Sequence, residues 1–416
     1  MSRETDTASI GAAHGGRRRL ARIVPTDEAH GVTTLELFFD LVFVFAITQI
    51  TAFMAADLGW QGCLRGLVLL SLLWFAWCSY SWLGNQAHAD EGILRGAYIV
   101  AMAALFVVAL AIPEAWGDGG GISAPVLLAA GLAVVRLTHL AVYVVAAAED
   151  VGLRRQVVRT AVPVGISAGL LLVGAVFGGP AQTAFWALAL VVDYTGIYAV
   201  GADWRLPAPG HFAERYGLIV LIALGESLIS VGVGVGHLPV TGPVLVGALL
   251  GMAISVALWW AYFDVVAPVA ERVLRKRQGQ ERVRLARDSY TYLHFPMVAG
   301  VIYLALGLKK VAQYVGDADH HGLAEPLPTT ALWSLYGGVA AYLLGHLAFR
   351  LRNLGSINRP RAAVALLLLL APLALGRMPA LAALAVLAGL LVALIAFEVV
   401  RYADARAAVR AELAQH

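Results

Sequence analysis

The chain has 416 residues, of which 60% are hydrophobic and only 14% charged, and its mean hydropathy is +0.76. A soluble chain carries about a quarter charged residues, so this composition excludes an ordinary soluble domain. The net charge of +3 is unevenly placed along the chain, so the pI near 8.9 is not a nucleic-acid signal.

Residues 1–25 are rich in Gly, Ala, Thr and Arg, which predicts a disordered, basic, cytoplasmic N-terminus. Arg17, Arg18, Arg19 and Arg22 do not open a signal peptide. The first apolar run begins only at Leu35 and is too long for one. Counting apolar stretches near 20 residues then predicts twelve helices. They cover 34–55, 63–83, 96–112, 123–146, 158–178, 182–201, 214–235, 241–263, 289–308, 329–349, 362–375 and 379–400. The last two are split only by Gly376, Arg377 and Pro379, and could form one re-entrant pair. Cys63 and Cys78 make neither a disulfide framework nor a zinc motif and read as small apolar fillers.

Loop charge predicts orientation. Odd-numbered loops are nearly free of Arg and Lys, apart from Lys309, Lys310 and Arg377. Even-numbered loops hold Arg154, Arg155 and Arg159, then Arg205, then Arg350, Arg352, Arg359 and Arg361. The loop at 265–288 carries seven basic residues from Arg272 to Arg287. The positive-inside rule then puts both termini in the cytoplasm of a multi-pass cell-membrane protein. The basic loop reads as a solvated, orienting charge run, with a short amphipathic helix on the anionic leaflet as the alternative.

Motifs recur in order. Glu36 opens the first helix and Glu214 the seventh; LWFAW (73–77) resembles LWWAY (258–262). Arg95 and Tyr98 match Arg287 and Tyr290, and His139-Leu140-Ala141 matches His346-Leu347-Ala348. The offsets grow from 178 to 207 in chain order, as loop insertions require. Two halves follow, 26–202 and 203–404, with a cytoplasmic tail at 405–416. Six helices per half make this a parallel repeat with its axis along the membrane normal.

Polar residues inside the apolar runs are the candidate site. An ionised carboxylate at the centre of a membrane helix costs roughly 2.5–3.5 kcal/mol on insertion scales, so such residues usually face a bundle interior or a water-filled path. Glu226 lies near mid-bilayer in the seventh helix, with Ser230 one turn on and Ser227 beside it. Gly225, Gly232, Gly234 and Gly236 leave room for a neighbouring helix or a ligand. Glu36 and Asp40 share a face of the first helix, and Thr48 continues it. Glu36 suits a helix N-terminus, with Thr33 or Thr34 as cap; Asp40, a turn deeper, suits a buried or ion-handling role. Arg136 and His139 in the fourth helix and Asp193 in the sixth are the expected counter-charges for Glu226. A closed structural network, with Arg136 neutralising Glu226 or Asp193, is the alternative to an exchanging carboxylate.

Other features carry less. His346 mirrors His139 and could simply bond a neighbouring helix. Asp317, Asp319, His320 and His321 form a polar outer loop that reads as solvated rather than metal-binding. Trp60, Trp116, Trp204 and Tyr402 fit an interfacial belt. The groups WFAWCSYSW and LWWAYFD suit packing as well as a pathway. No Walker loop or dinucleotide fingerprint is present, so no cofactor, metal or catalytic residue is assigned.

The stretches ELFFDLVFVFAITQIT (36–51) and ERYGLIVLIALGESLISVG (214–232) resemble the bacterial low temperature requirement protein A family over roughly 30–400. The resemblance implies a multi-pass membrane protein linked by name to growth in the cold, without a settled activity. Phe38, Asp40, Val42, Phe43, Ala46, Ile47 and Thr48 are also similar to the first-helix motif of the endolysosomal potassium channel family. That resemblance implies six-helix units with pore-lining first helices. Phe39 replaces the motif serine, Glu36 stands where a basic residue is usual, and the second half has Gly225-Glu226-Ser227. These departures argue against carrying potassium selectivity over.

The expectation is an all-α integral membrane protein of about twelve transmembrane helices in two parallel six-helix repeats. It works as an ion- or proton-coupled transporter or channel rather than an enzyme. The alternative is a membrane-embedded enzyme or scaffold acting on lipid or envelope precursors. Its partners are membrane lipids and an ion or small solute, not nucleic acid, and a homo-oligomer is left open.

Overall fold

The computed structural model describes residues 31–86, 89, 92–117, 122–147, 150–236 and 238–414. The expected basic tail at 1–25 lies outside them. The described chain is all-α apart from an isolated bridge between Pro326 and Pro379. The helices are α1 (Thr34–Ala56), α2 (Trp60–Gln86), α3 (Gly92–Ala111), α4 (Ala124–Ala146), α5 (Val151–Phe177), α6 (Gly179–Val200), α7 (Pro209–Val235) and α8 (Gly242–Phe263). They continue with α9 (Val266–Lys276), α10 (Gly279–Leu285), α11 (His294–Gly316), α12 (Thr329–Leu354), α13 (Arg359–Leu375), α14 (Ala380–Arg401) and α15 (Ala403–Ala414). A π-helical turn, Ala286–Tyr292, leads into α11.

Eleven helical stretches among the described residues are long and apolar enough to cross a membrane. They are α1 to α8, α11, α12 and α14, with α9 continuing α8 and α10 leading into α11. The chain is therefore a multi-pass membrane protein. α13 accounts for the difference from the expected twelve. Its 17 residues rise about 26 Å, short of a hydrocarbon core of roughly 30 Å.

Local chemistry sets the helix ends. Thr33 and Glu36 form a reciprocal capping box at α1: Glu36 N donates to Thr33 Oγ1 at 3.2 Å and Thr33 N donates to Glu36 Oε2 at 3.0 Å. Asp150 caps α5 by accepting from Leu153 N at 3.0 Å, and that bond holds its carboxyl below the usual range. Asn358 caps α13 in the same way through Arg361 N. Gly355 ends α12 in the left-handed region, φ 67°, a backbone conformation that is strained for a residue with a side chain.

Two expectations change here. The ninth apolar stretch, 289–308, is shifted toward its C-terminal side, so Lys309 and Lys310 lie inside α11 rather than in a loop. The basic segment 265–288 is helical: α9 buries Val266, Ala270 and Leu274 at four-residue spacing and turns Arg275 and Lys276 outward.

The described residues divide into two compact units. The first takes the described residues within Met1–Phe43 and Phe75–Phe212, the second those within Val44–Trp74 and Ala213–His416, so α1 and α2 contribute to both. In the first, α3 packs on α4, α4 on α5 and α5 on α6. Its interior holds an aromatic cluster of Phe39, Tyr80, Tyr98, His139 and Tyr143. In the second, α11 packs on α12, α12 on α13 and α14 on α8. Its aromatic cluster joins Trp74, Tyr216, Tyr262, Tyr290, His294 and Phe349. The aromatic runs of α2 and α8 thus mainly pack, with Trp74, Trp77 and Tyr80 fully buried.

The α11–α12 seam is glycine-built. A Cβ on Gly300 would lie 2.6 Å from the Tyr342 backbone nitrogen, and one on Gly338 2.6 Å from that of Leu304. Gly307 meets Leu335 and Gly345 meets Met297 along the same seam. In lipid, where apolar side chains gain little by leaving one neighbour for another, such close backbone approach supplies much of the association. At one end of this unit, Ala380 N donates to the Glu325 carbonyl at 3.0 Å. That bond ties the α11–α12 loop to the break between α13 and α14.

Candidate functional site

Glu226 sits on α7 about 14 Å of rise from the helix end and is 1% exposed. Thr48 Oγ1 lies 2.6 Å from its Oε2 and Ser230 Oγ 3.0 Å from its Oε1. Thr51, one turn from Thr48 on α1, is a further hydroxyl acting on the Glu226 carboxyl. Lys309 on α11 is the cation whose field acts on the carboxylate, but among the described residues Glu226 has no ion-pair partner. Ser227 belongs to another contact, with the Leu224 carbonyl and Ser255. Of the neighbouring glycines, Gly234 brings the α7 backbone against Lys309. A Cβ on Gly225 or Gly232 would meet nothing within 4 Å.

The hydroxyls fit both protonation states of Glu226. A threonine hydroxyl has one proton and two lone pairs. Thr48 Oγ1 also reaches the Val44 carbonyl at 3.2 Å, and Thr51 Oγ1 reaches that of Ile47 at 3.2 Å. When Glu226 is ionised, Thr48 donates to it. When Glu226 is protonated, it donates to Thr48, which turns its own proton to Val44. A rotor turn, with no helix movement, accommodates the change.

Asp193 is held differently. Arg136 grips it with both terminal nitrogens, one bond at 2.7 Å, and Ser167 donates to it at 2.8 Å. This ties α4, α5 and α6 together, and the Arg136 guanidinium also lies 4.9 Å from the Phe75 ring centroid. Arg136 therefore pairs with Asp193 rather than with Glu226, the other of the two partners the sequence offered it. His139 packs between Tyr80 and Tyr143, and its Nε2 has no hydrogen-bond partner among the described residues.

Glu36 and Asp40 are both fully buried in the first unit. Glu36 accepts from Thr33 and lies 3.0 Å from His211 Nε2. Asp40 accepts from Trp77 Nε1 at 2.7 Å. Gly84 makes room for the Glu36 carboxylate, since a Cβ there would run into it and into the Tyr98 hydroxyl. A third carboxylate, Glu398 on α14, is gripped by Arg361 through Nε at 2.7 Å and a terminal nitrogen at 2.6 Å. Asn358 adds a bond at 2.8 Å. His346 lies against Arg361 at 3.1 Å, so it serves this network.

A family model described as bacterial low temperature requirement A protein (LtrA) matches residues 31–396. The chain belongs to that family. It is also 28% identical over 285 residues to the uncharacterized protein RA0937 of Rhizobium meliloti (strain 1021), covering 65% of this chain and 67% of the relative. No solved structure matches.

In this LtrA-family chain, four site residues escaped the sequence reading: His211, Lys309, Arg361 and Glu398. Glu398 is a carboxylate in an otherwise uncharged run, the same signal that marked Glu226. Arg361 was counted among the orienting loop arginines because it lies at a helix start. Burial of 6% exposure separates it from them, and linear position does not encode that. In the outer loop, His320 pairs with Asp317 and His321 with Glu325.

Proposed function

We propose that this protein is an ion- or proton-coupled transporter or channel in which Glu226 is the exchanging carboxylate. One contrast carries the reading. Asp193 and Glu398 are each gripped by an arginine on two nitrogens, which commits them to structural pairs. Glu226 is held by hydroxyls that can donate or accept, so it can gain and lose a proton or a small cation in place.

Two observations support the wider architecture. Thr48 and Glu226 are separated by 178 residues, the offset that also relates Glu36 to Glu214. In a parallel repeat, equivalent positions on the central helices would approach each other at its axis, and the Thr48–Glu226 contact supports that reading. α12 begins and α13 ends beside the Glu325–Ala380 bond. α13 thus returns the chain across the thickness that α12 crosses, which supports reading it as a short twelfth span. An even number of spans agrees with both termini in the cytoplasm.

The test is purified protein in liposomes, assayed for proton and monovalent-cation flux with Glu226→Gln alongside. Flux that the substitution abolishes supports the reading. A modified lipid product without flux overturns it in favour of a membrane enzyme.

A further inference from the structure

A cavity of about 360 Å³ opens in the second unit, away from Glu226. Its walls come from the end of α8 (Trp260, Asp264), α9 (Val266, Val269), the end of α12 (Arg350, Leu354), Arg361, Glu398 and Tyr402. α15 borders it through Arg406 and Val409.

The charges around it do not balance. Glu398 is fully used by Arg361 and Asn358. Asp264 is taken by Arg406 and Arg410 of α15. Arg350 remains. It is partly buried, and its hydrogen bond among the described residues is a long one, 3.3 Å, to Ser356 Oγ. Both carboxylates at the cavity therefore already have ion-pair partners, and among the described residues no carboxylate lies within ion-pair distance of the Arg350 guanidinium. The rest of the lining is apolar or aromatic: Val265, Val266, Val269, Leu354, Ile357 and Val409, with Trp260 and Tyr402. Beyond its buried face α9 carries Arg272, paired with Glu412, Arg275, paired with Glu271, and Lys276, so the cavity lies beside a surface that keeps net positive charge and favours anionic lipid.

We infer that this cavity binds the anionic head of an amphiphile, with Arg350 on the phosphate or carboxylate and the valine-lined wall on the adjoining chain. The guanidinium supplies charge-assisted donors. Tyr402 and Trp260 suit the boundary between head group and hydrocarbon. α15 forms a strap over the site, held down by Asp264.

The probes are phosphatidylglycerol, phosphatidylcholine and inorganic phosphate, offered to the purified full-length chain, with retention and thermal stabilisation measured. Phosphatidylglycerol should be retained over phosphatidylcholine by about tenfold, the worth of one charge-assisted contact. Arg350→Gln should bring that preference close to parity. Arg352→Gln, which removes an exposed arginine paired with Asp288, should leave it intact. Val269→Trp fills the cavity without touching a charge and should lower retention of the lipid, which keeps the proposal testable if Arg350→Gln folds poorly. Stabilisation by phosphate alone that Arg350→Gln removes also supports the site, with the free anion as its ligand. No preference in the native chain, or a preference unchanged in both Arg350→Gln and Val269→Trp, overturns it.

Discussion

Thr48 and Glu226 lie 178 residues apart and share a 2.6 Å hydrogen bond between α1 and α7. The same spacing separates Glu36 from Glu214, the residues that open the two recurring motifs. A hydroxyl on α1 thus meets a carboxylate on α7. The hydroxyl has a second acceptor, the Val44 carbonyl, and this gives the pair two hydrogen-bonded states.

Glu226→Gln should leave abundance and thermal stability close to the native level, because the neutral amide costs less in the membrane than an ionised carboxylate. Proton- or cation-coupled flux in liposomes should be lost. Thr48→Ser should keep flux, and Thr48→Val should reduce it by leaving Oε2 without its closest donor. Native flux in Glu226→Gln would reject the exchanging role.

The Arg136–Asp193 pair should behave as structure. Removing one partner of a buried pair costs about 3–5 kcal/mol, so Arg136→Met or Asp193→Leu alone should lower the unfolding temperature strongly. The double substitution should recover most of the loss. Additive losses in a thermal-melt cycle would show that the two are not coupled.

The glycine seam should tolerate no side chain. Gly338→Ala forces α12 away from the α11 backbone, since its Cβ would sit 2.6 Å from Leu304 N. Overpacking of this kind costs about 1–3 kcal/mol. Gly337→Ala, one residue away where a Cβ meets nothing within 4 Å, is the control and should be neutral in the same melt.

Topology reporters should place residue 280 in the cytoplasm and residue 320 outside, from the arginine distribution. Residue 377 should share the side of residue 320, because Glu325 and Ala380 are bonded. A cytoplasmic reporter at 377 with an outer one at 320 would remove α13 as a span.

Outside the spans, Asp317 and His320 bond each other, which lowers the carboxyl and raises the imidazole from their usual values. A raised imidazole adds stability that is present below its unfolded value and fades as pH rises through its folded one. A lowered carboxyl adds stability that is lost as pH falls through its folded value. The pair therefore acts between roughly pH 4 and 6.5, the two unperturbed values. Asp317→Asn should return the His320 titration, followed by NMR, toward the ordinary imidazole value. An unchanged titration would show that Asp317 is not the cause.

The sequence by itself determined the membrane class, most of the helices and the candidate carboxylates, because each is a local property. Hydropathy over 20 residues and a charge inside an apolar run need no knowledge of the rest of the chain. A threonine cap beside Glu36 at the start of α1 was legible for the same reason, and the structure chooses Thr33 over Thr34. Which charge meets which was decided by tertiary structure alone. Arg136 had Glu226 and Asp193 in view along the sequence and takes Asp193, because packing of α4 on α5 and α5 on α6 brings them together. Arg361 looks like an orienting loop arginine until α14 brings Glu398 to it. Glu226 is left with hydroxyls rather than a counter-charge by the approach of α1, and pairings between distant helices are set by packing geometry, which no local pattern records.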